Sequence, residues 1–183
     1  MTREALDRLG VSRIDQRLFG KIDYKRARYL FHPDYAVKQA LFVDSKAEKI
    51  EGQGTATLQT SQLSMEVRQI RAGIGVAVPG RLPPIFQVGE HSFLTTTIFV
   101  KYNYATVEGN NLLSSITVAA LPNGMLQDRY NPMAEDTIFL AGRNAPTLGE
   151  EFRVRLNFSR LVQKAGWRVQ RMLLAPEPFE WRD

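Results

Sequence analysis

The chain has 183 residues, of which 44% are hydrophobic and 10% aromatic, enough to bury a core and better suited to one domain spanning 1–183 than to two. Its 24 Lys and Arg against 19 Asp and Glu leave a formal charge of +5, which favours a polyanionic partner. The absence of cysteine excludes disulfides and thiolate metal sites, and two histidines, His32 and His91, leave oxygen as the expected donor to any metal. Apolar stretches such as residues 115–121 fall far short of the roughly 20 residues of a membrane helix. The first residues, MTREALDRLGVSR, lack the apolar core of a secretion signal, so a cytoplasmic protein without membrane attachment is expected.

In chain order, residues 4–9 carry helix formers and stop at Gly10. Strand character begins after Gly20. The runs KIDYKRARYLF (21–31) and VKQALFVDSK (37–46) flank His32, Pro33, Asp34 and Tyr35, whose Pro-Asp pair is turn chemistry, and together they predict a long β-hairpin. Alternation puts Leu41 and Val43 on one face of its second strand and Phe42, Asp44 and Lys46 on the other. After the link Gly52-Gln53-Gly54, the segment TATLQTSQLSMEV predicts a helix capped by Thr55 or Thr57, with Leu58, Leu63 and Met65 on its apolar face, covering the hairpin. Residues 73–84, rich in Gly and Pro, read as irregular structure with room for one short strand.

Residues 95–104 (TTTIFVKYNY) and 113–121 (LSSITVAAL) are rich in β-branched and aromatic side chains, with a turn at Glu108-Gly109-Asn110-Asn111, and predict a second hairpin. A strand EFRVRLNF (151–158), a short helix near 159–165 and a last strand WRVQRMLL (167–174) complete the reading. The fold class is therefore mixed α/β, of α+β character, with a largely antiparallel sheet flanked by helices. Tyr102 and Tyr104 fall on one side of their strand and read as core or interface rather than as a base-stacking platform.

A hairpin turning between Pro33 and Asp34 pairs residues whose numbers add to 67, which sets Asp23 opposite Asp44. Directly opposed strand residues have Cβ atoms about 4.5–5.5 Å apart, a separation at which two carboxylates can share a hard cation. Asp34, at the hairpin tip, would lie on the order of 30 Å from Asp44, so its Pro-Asp spelling marks a turn. Lys46, two residues beyond Asp44, reaches the same side. Asp23, Asp44 and the Ser45 backbone carbonyl would hold magnesium, and Lys46 would orient a water or stabilise charge growing on a phosphorane. The pattern alone is cheap, since Asp23-Tyr24-Lys25 is a second Asp-x-Lys and solvated surface carboxylates satisfy it equally.

In EFRVRLNF the apolar residues Phe152, Val154, Leu156 and Phe158 alternate with Arg153, Arg155 and Asn157. Two arginines roughly 6.6 Å apart on a strand can each present a forked donor set to the O6 and N7 of guanine. A solvated strand face paired with Glu150 or Glu151 is the plainer alternative. Arg143, in the loop LAGRNAPTLGE, could reach phosphate or base, although a plain surface arginine is the simpler reading of the residue by itself.

With the blocks FGKIDYKRARYL, LFVDSKA, TLQTSQLSM, TTTIFV, RYNP with DTIF, AGRNAP with GEEFRVRLNFSRL, and WRVQ in this order, the chain resembles the SfiI-like type II restriction endonucleases of the PD-(D/E)xK nuclease superfamily. The resemblance implies a restriction-endonuclease-like core, with Asp23 as first catalytic aspartate and Asp44 and Lys46 as second acid and lysine. It also implies Arg153 and Arg155 as guanine-reading residues, with Arg143 in the preceding recognition loop. The implied activity is Mg2+-dependent hydrolysis of both strands of a G·C-containing palindrome in double-stranded DNA by a homo-oligomer. Termini shorter than those of the family's namesake point to a dimer and leave a tetramer open. The alternatives are a structure- or repair-directed nuclease of the same superfamily and a non-catalytic DNA-binding module.

Overall fold

The computed structural model describes residues 28–30, 38–49, 54–141 and 153–174. Its strands are β1 (Arg28–Leu30), β2 (Gln39–Lys49), β3 (Thr55–Gln59), β4 (Val67–Arg71), β5 (Ile74–Val78), β6 (Ile85–Val88), β7 (His91–Val107), β8 (Asn110–Leu121), β9 (Phe139–Ala141), β10 (Arg153–Asn157) and β11 (Val169–Leu173). Two short helices are α1 (Gln127–Tyr130) and α2 (Phe158–Lys164).

The main sheet is built on β7 and β8, the hairpin expected from residues 95–121. Glu108 (φ 50°) and Gly109 (φ 81°) form its two-residue turn, both in the left-handed region that matches strand twist in a tight hairpin. On the other edge of β7 lies β2, parallel to it from Gln39↔Leu94 to Lys49↔Tyr104. β1 and β11 complete the order β1-β2-β7-β8-β11, with β6 antiparallel to the start of β7. The sheet is thus mixed, and every strand pair in it other than β2–β7 is antiparallel.

β1 and β2 form the expected antiparallel pair, but their register differs from the expected one. Arg28 faces Leu41, Tyr29 faces Ala40 and Leu30 faces Gln39, so paired numbers add to 69 rather than 67. A two-residue shift keeps the alternation of faces while changing every partner. Asp34, the Pro33 turn, the helix expected at 4–9 and the strand residues before 28 lie outside the described residues.

The helix expected from Thr55 or Thr57 is not formed: residues 55–59 are strand β3, followed by a 3₁₀ turn at Thr60–Gln62. Burial alternates instead of following a helical period, with Ala56 and Leu58 fully buried and Leu63, Met65 and Val67 continuing in steps of two. β-branched Thr55 and Thr57 fit that pleat, and β10, whose buried Val154 and Leu156 stand opposite Leu58 and Ala56, provides the partner a helix would lack. β3-β10-β9 form a second, antiparallel sheet. The segment 73–84 carries the one short strand allowed for it, β5, which pairs with β4 through a turn at Ala72 (φ 47°) and Gly73 (φ 79°).

The larger core lies between the two sheets. Phe99, Ala119 and Leu121 of the main sheet join Ala56, Leu58, Phe139, Val154 and Leu156 of the small one, closed by Phe158 and Leu161 of α2. A second cluster gathers Ala40, Phe42, Leu82, Phe86 and Phe93. The WRVQ block acts in packing: Arg168 donates to the Tyr130 hydroxyl (2.7 Å) and the Ala120 carbonyl (3.3 Å), and its guanidinium stacks on Trp167 at 4.3 Å.

Candidate active site

One face of β2 carries Ala40, Phe42, Asp44, Lys46 and Glu48, the alternation expected from sequence. Its character changes along the strand: Ala40 and Phe42 are buried in the second core, whereas Asp44 and Lys46 retain partial exposure, 15% and 30%. The parallel neighbour changes at the same level. Phe99 pairs with Asp44, Lys101 with Lys46 and Asn103 with Glu48. The sheet face is therefore apolar at one end and charged at the other, and the change falls at Asp44.

The lysine ammonium lies 3.8 Å from Asp44 Oδ2, 2.5 Å from the Thr57 carbonyl oxygen to which it donates, and 5.7 Å from the centre of the Phe99 ring. Asp44 and Lys46 thus occupy one side of one strand within a single charged patch. Ser45, between them, presents its side chain outward.

Beside this pair is a group that sequence reasoning missed. Lys101 is fully buried, forms a 2.7 Å ion pair with Glu48 and donates a further, shorter hydrogen bond to the Thr55 carbonyl. Buried Asn103 donates to the carbonyls of Lys49 (3.2 Å) and Glu48 (3.5 Å), while Ser115 and Thr117 of β8 line the same buried polar layer. Its signal in the sequence was phase: Lys101 and Asn103 share the alternation of Phe99, so a lysine and an amide stood on the core side of a central strand.

Among the other expected residues, Arg155 is exposed and its Nε donates to the Ala141 carbonyl at 3.3 Å. The backbone of Arg153 opens β10, opposite Gln59, while Arg155 is opposite Thr57. Asn157 keeps the expected alternation with Arg155 at the end of β10 and also caps α2, its side chain accepting from the Arg160 amide at 3.0 Å. Asp23 and Arg143 lie outside the described residues. Among those described, no three acidic or histidine side chains converge on one point, and the donors available for a cation at Asp44 are oxygens, suited to a hard divalent ion.

Solved structures share this architecture. The tetrameric restriction endonuclease SfiI bound to cognate DNA aligns with a TM-score of 0.77 and 34% identity, over 97% of this chain and 69% of that one. The restriction endonuclease BglI bound to its recognition sequence aligns with a TM-score of 0.72 and 19% identity, over 93% of this chain and 69% of that one, a likeness of fold. The class defined is that of restriction-endonuclease folds. Within it, the family model described as "Type II restriction enzyme SfiI" matches residues 1–172, and the type II restriction enzyme SfiI of Streptomyces fimbriatus is 35% identical over 198 aligned positions, covering 100% of this chain and 73% of its relative. The chain belongs to the SfiI family of type II restriction enzymes and is a sequence-specific DNA endonuclease.

Proposed function

We propose that the chain hydrolyses both strands of a G·C-containing palindromic duplex, using Asp23, Asp44 and Lys46 as its catalytic residues and Mg2+ as its cofactor. The observation that carries this reading is the placement of Asp44 and Lys46 on one side of β2, 3.8 Å apart, where that face turns from apolar to charged. Asp23 rests on the family resemblance, because the observed β1–β2 register no longer supports the arithmetic that set it opposite Asp44.

Asp44, the Ser45 carbonyl and Asp23 would hold the metal. When bound, magnesium supplies Lewis-acid polarisation of the scissile phosphate. Lys46 contributes a mobile positive charge. Its ammonium, resting on the Thr57 carbonyl, can turn to a phosphate oxygen or a water and stabilise charge that grows in the transition state. Arg153 and Arg155 would read guanine and Arg143 would contact phosphate or base. A homodimer would present one such centre to each strand through its two-fold axis, as one domain acting in the cytoplasm. SfiI is a tetramer on its cognate DNA, so a dimer of dimers is the assembly to compare.

Digestion of mixed-sequence plasmid DNA with the purified chain in magnesium tests this reading. Discrete fragments are expected, with their ends giving the recognition string. Asp44→Ala and Asp23→Ala should abolish cleavage while leaving calcium-supported DNA binding intact. A smear indicates a nonspecific nuclease, and full activity in Asp44→Ala refutes the assignment.

A further inference from the structure

Two lysines, from adjacent positions of the parallel pair β2–β7, reach across to the same third strand. Lys46 donates to the carbonyl of Thr57 and Lys101 to that of Thr55, on β3. β3 is paired residue by residue with β10, Thr57 opposite Arg155 and Thr55 opposite Asn157. A short path therefore runs from Lys46 through one strand backbone to the arginine strand. The inner lysine is fully buried and its charge is matched by Glu48, the next residue after Lys46 on the same face of β2. The desolvation falls on the lysine, since Glu48 keeps 31% of its side chain exposed, and an apolar side chain of similar volume at the lysine position would avoid that cost. Packing alone gives no reason for a charge here.

We propose that Glu48 and Lys101 are positioning residues that clamp β3 against β2, so that the strand carrying Arg153 and Arg155 and the strand carrying Lys46 shift together. Base reading then sets where the Lys46 ammonium stands. Displacement of β10 on DNA would move the Thr57 carbonyl with it, while the Lys101 bridge carries the same movement to Glu48 and hence to β2. This rests on the proposed roles of Asp44, Lys46 and the arginine strand.

The test compares the full-length wild type with Lys101→Met, Glu48→Met/Lys101→Met, Arg155→Ala and Arg155→Ala/Lys101→Met. Each is measured at saturating enzyme on a duplex carrying the site mapped from wild-type digestion, alongside thermal unfolding and calcium-supported binding. Lys101→Met is expected to bind within about threefold of wild type but to cleave about ten- to a hundredfold more slowly in a single turnover. Removing both charges should restore or raise the thermal midpoint without restoring the rate. The rate penalty of Arg155→Ala should shrink in the Lys101→Met background, since a broken link leaves less to transmit.

Wild-type cleavage by Lys101→Met overturns the proposal. So do penalties of Arg155→Ala and Lys101→Met that simply multiply, an Arg155→Ala variant that cleaves at the wild-type rate, and failure of both Lys101 variants to fold. Asp44→Ala separates the two levels: if it still cuts, the active-site reading has failed, whereas an inactive Asp44→Ala beside a fully active Lys101→Met removes only the clamp.

Discussion

Gly124 is held to glycine by space. A Cβ there would stand 2.0 Å from the Ser64 carbonyl oxygen and 3.1 Å from Pro84 Cγ. The approach is kept close by polar contacts on both sides: the Gly124 amide donates to Ser64 Oγ at 3.0 Å, and Asn123 Nδ2 donates to the carbonyls of Pro84 and Thr95, each at 2.8 Å. Gly124→Ala should therefore lower stability by about 1–3 kcal/mol or more, read as a shifted urea midpoint at unchanged m-value. Amides do comparable work nearby, where Asn131 and Gln127 donate to the Glu66 carbonyl at 2.7 and 3.1 Å. No period or motif announces such contacts, because they join segments 28 to 65 positions apart, and only the folded chain brings them together.

At the scale of the element, β10 divides its labour by alternation. Val154 and Leu156 are fully buried in the core, and Arg155 stands exposed on the opposite side. If Arg153 and Arg155 read guanine, Arg155→Ala or Arg153→Ala should weaken specific binding by about 1–3 kcal/mol per bidentate contact and relax discrimination at that base pair. Competition binding at fixed salt checks this, and unchanged preference would remove the strand from recognition. The alternation that exposes Arg155 was legible in the letters, as were β7, β8, α2 and β11, because each has a clean period and a glycine or asparagine signal at its ends. β3 was not. Its five residues contain threonines that suit a cap as well as a pleat, and what decides between them is the partner strand about a hundred residues further on. The register of β1 on β2 failed for a related reason: Pro33-Asp34 indicates that the chain turns without fixing how many residues the turn consumes.

At the scale of the whole molecule, the proposed site was half legible. Asp44 and Lys46 were readable as neighbours on one face and Arg153 and Arg155 as alternating with apolar residues, while Asp23, first placed by a hairpin register that differs from the observed one, now rests on the family blocks. Lys101 and Glu48 were hidden because their pairing needs the parallel alignment of β2 with β7, and parallel alignment leaves no local trace in sequence. That alignment also sorts the strands by how far the chain must travel to form them. β7 and β8 close through two residues, while β2 reaches β7 only after everything from β3 to β6 has been laid down.

Loop closure makes the near pairing fast and the far one slow. Gly109, at φ 81°, is placed to show it: Gly109→Ala should cost about 1 kcal/mol or more and appear chiefly as slower refolding, with the unfolding arm of the chevron nearly unmoved. A substitution at the β2–β7 seam should instead speed unfolding. The order of assembly then becomes a matter of timing: strand β2, bearing Asp44 and Lys46, is expected to dock on a hairpin that already exists, so a chain caught partway through folding should have its scaffold before the strand that carries the proposed catalytic pair.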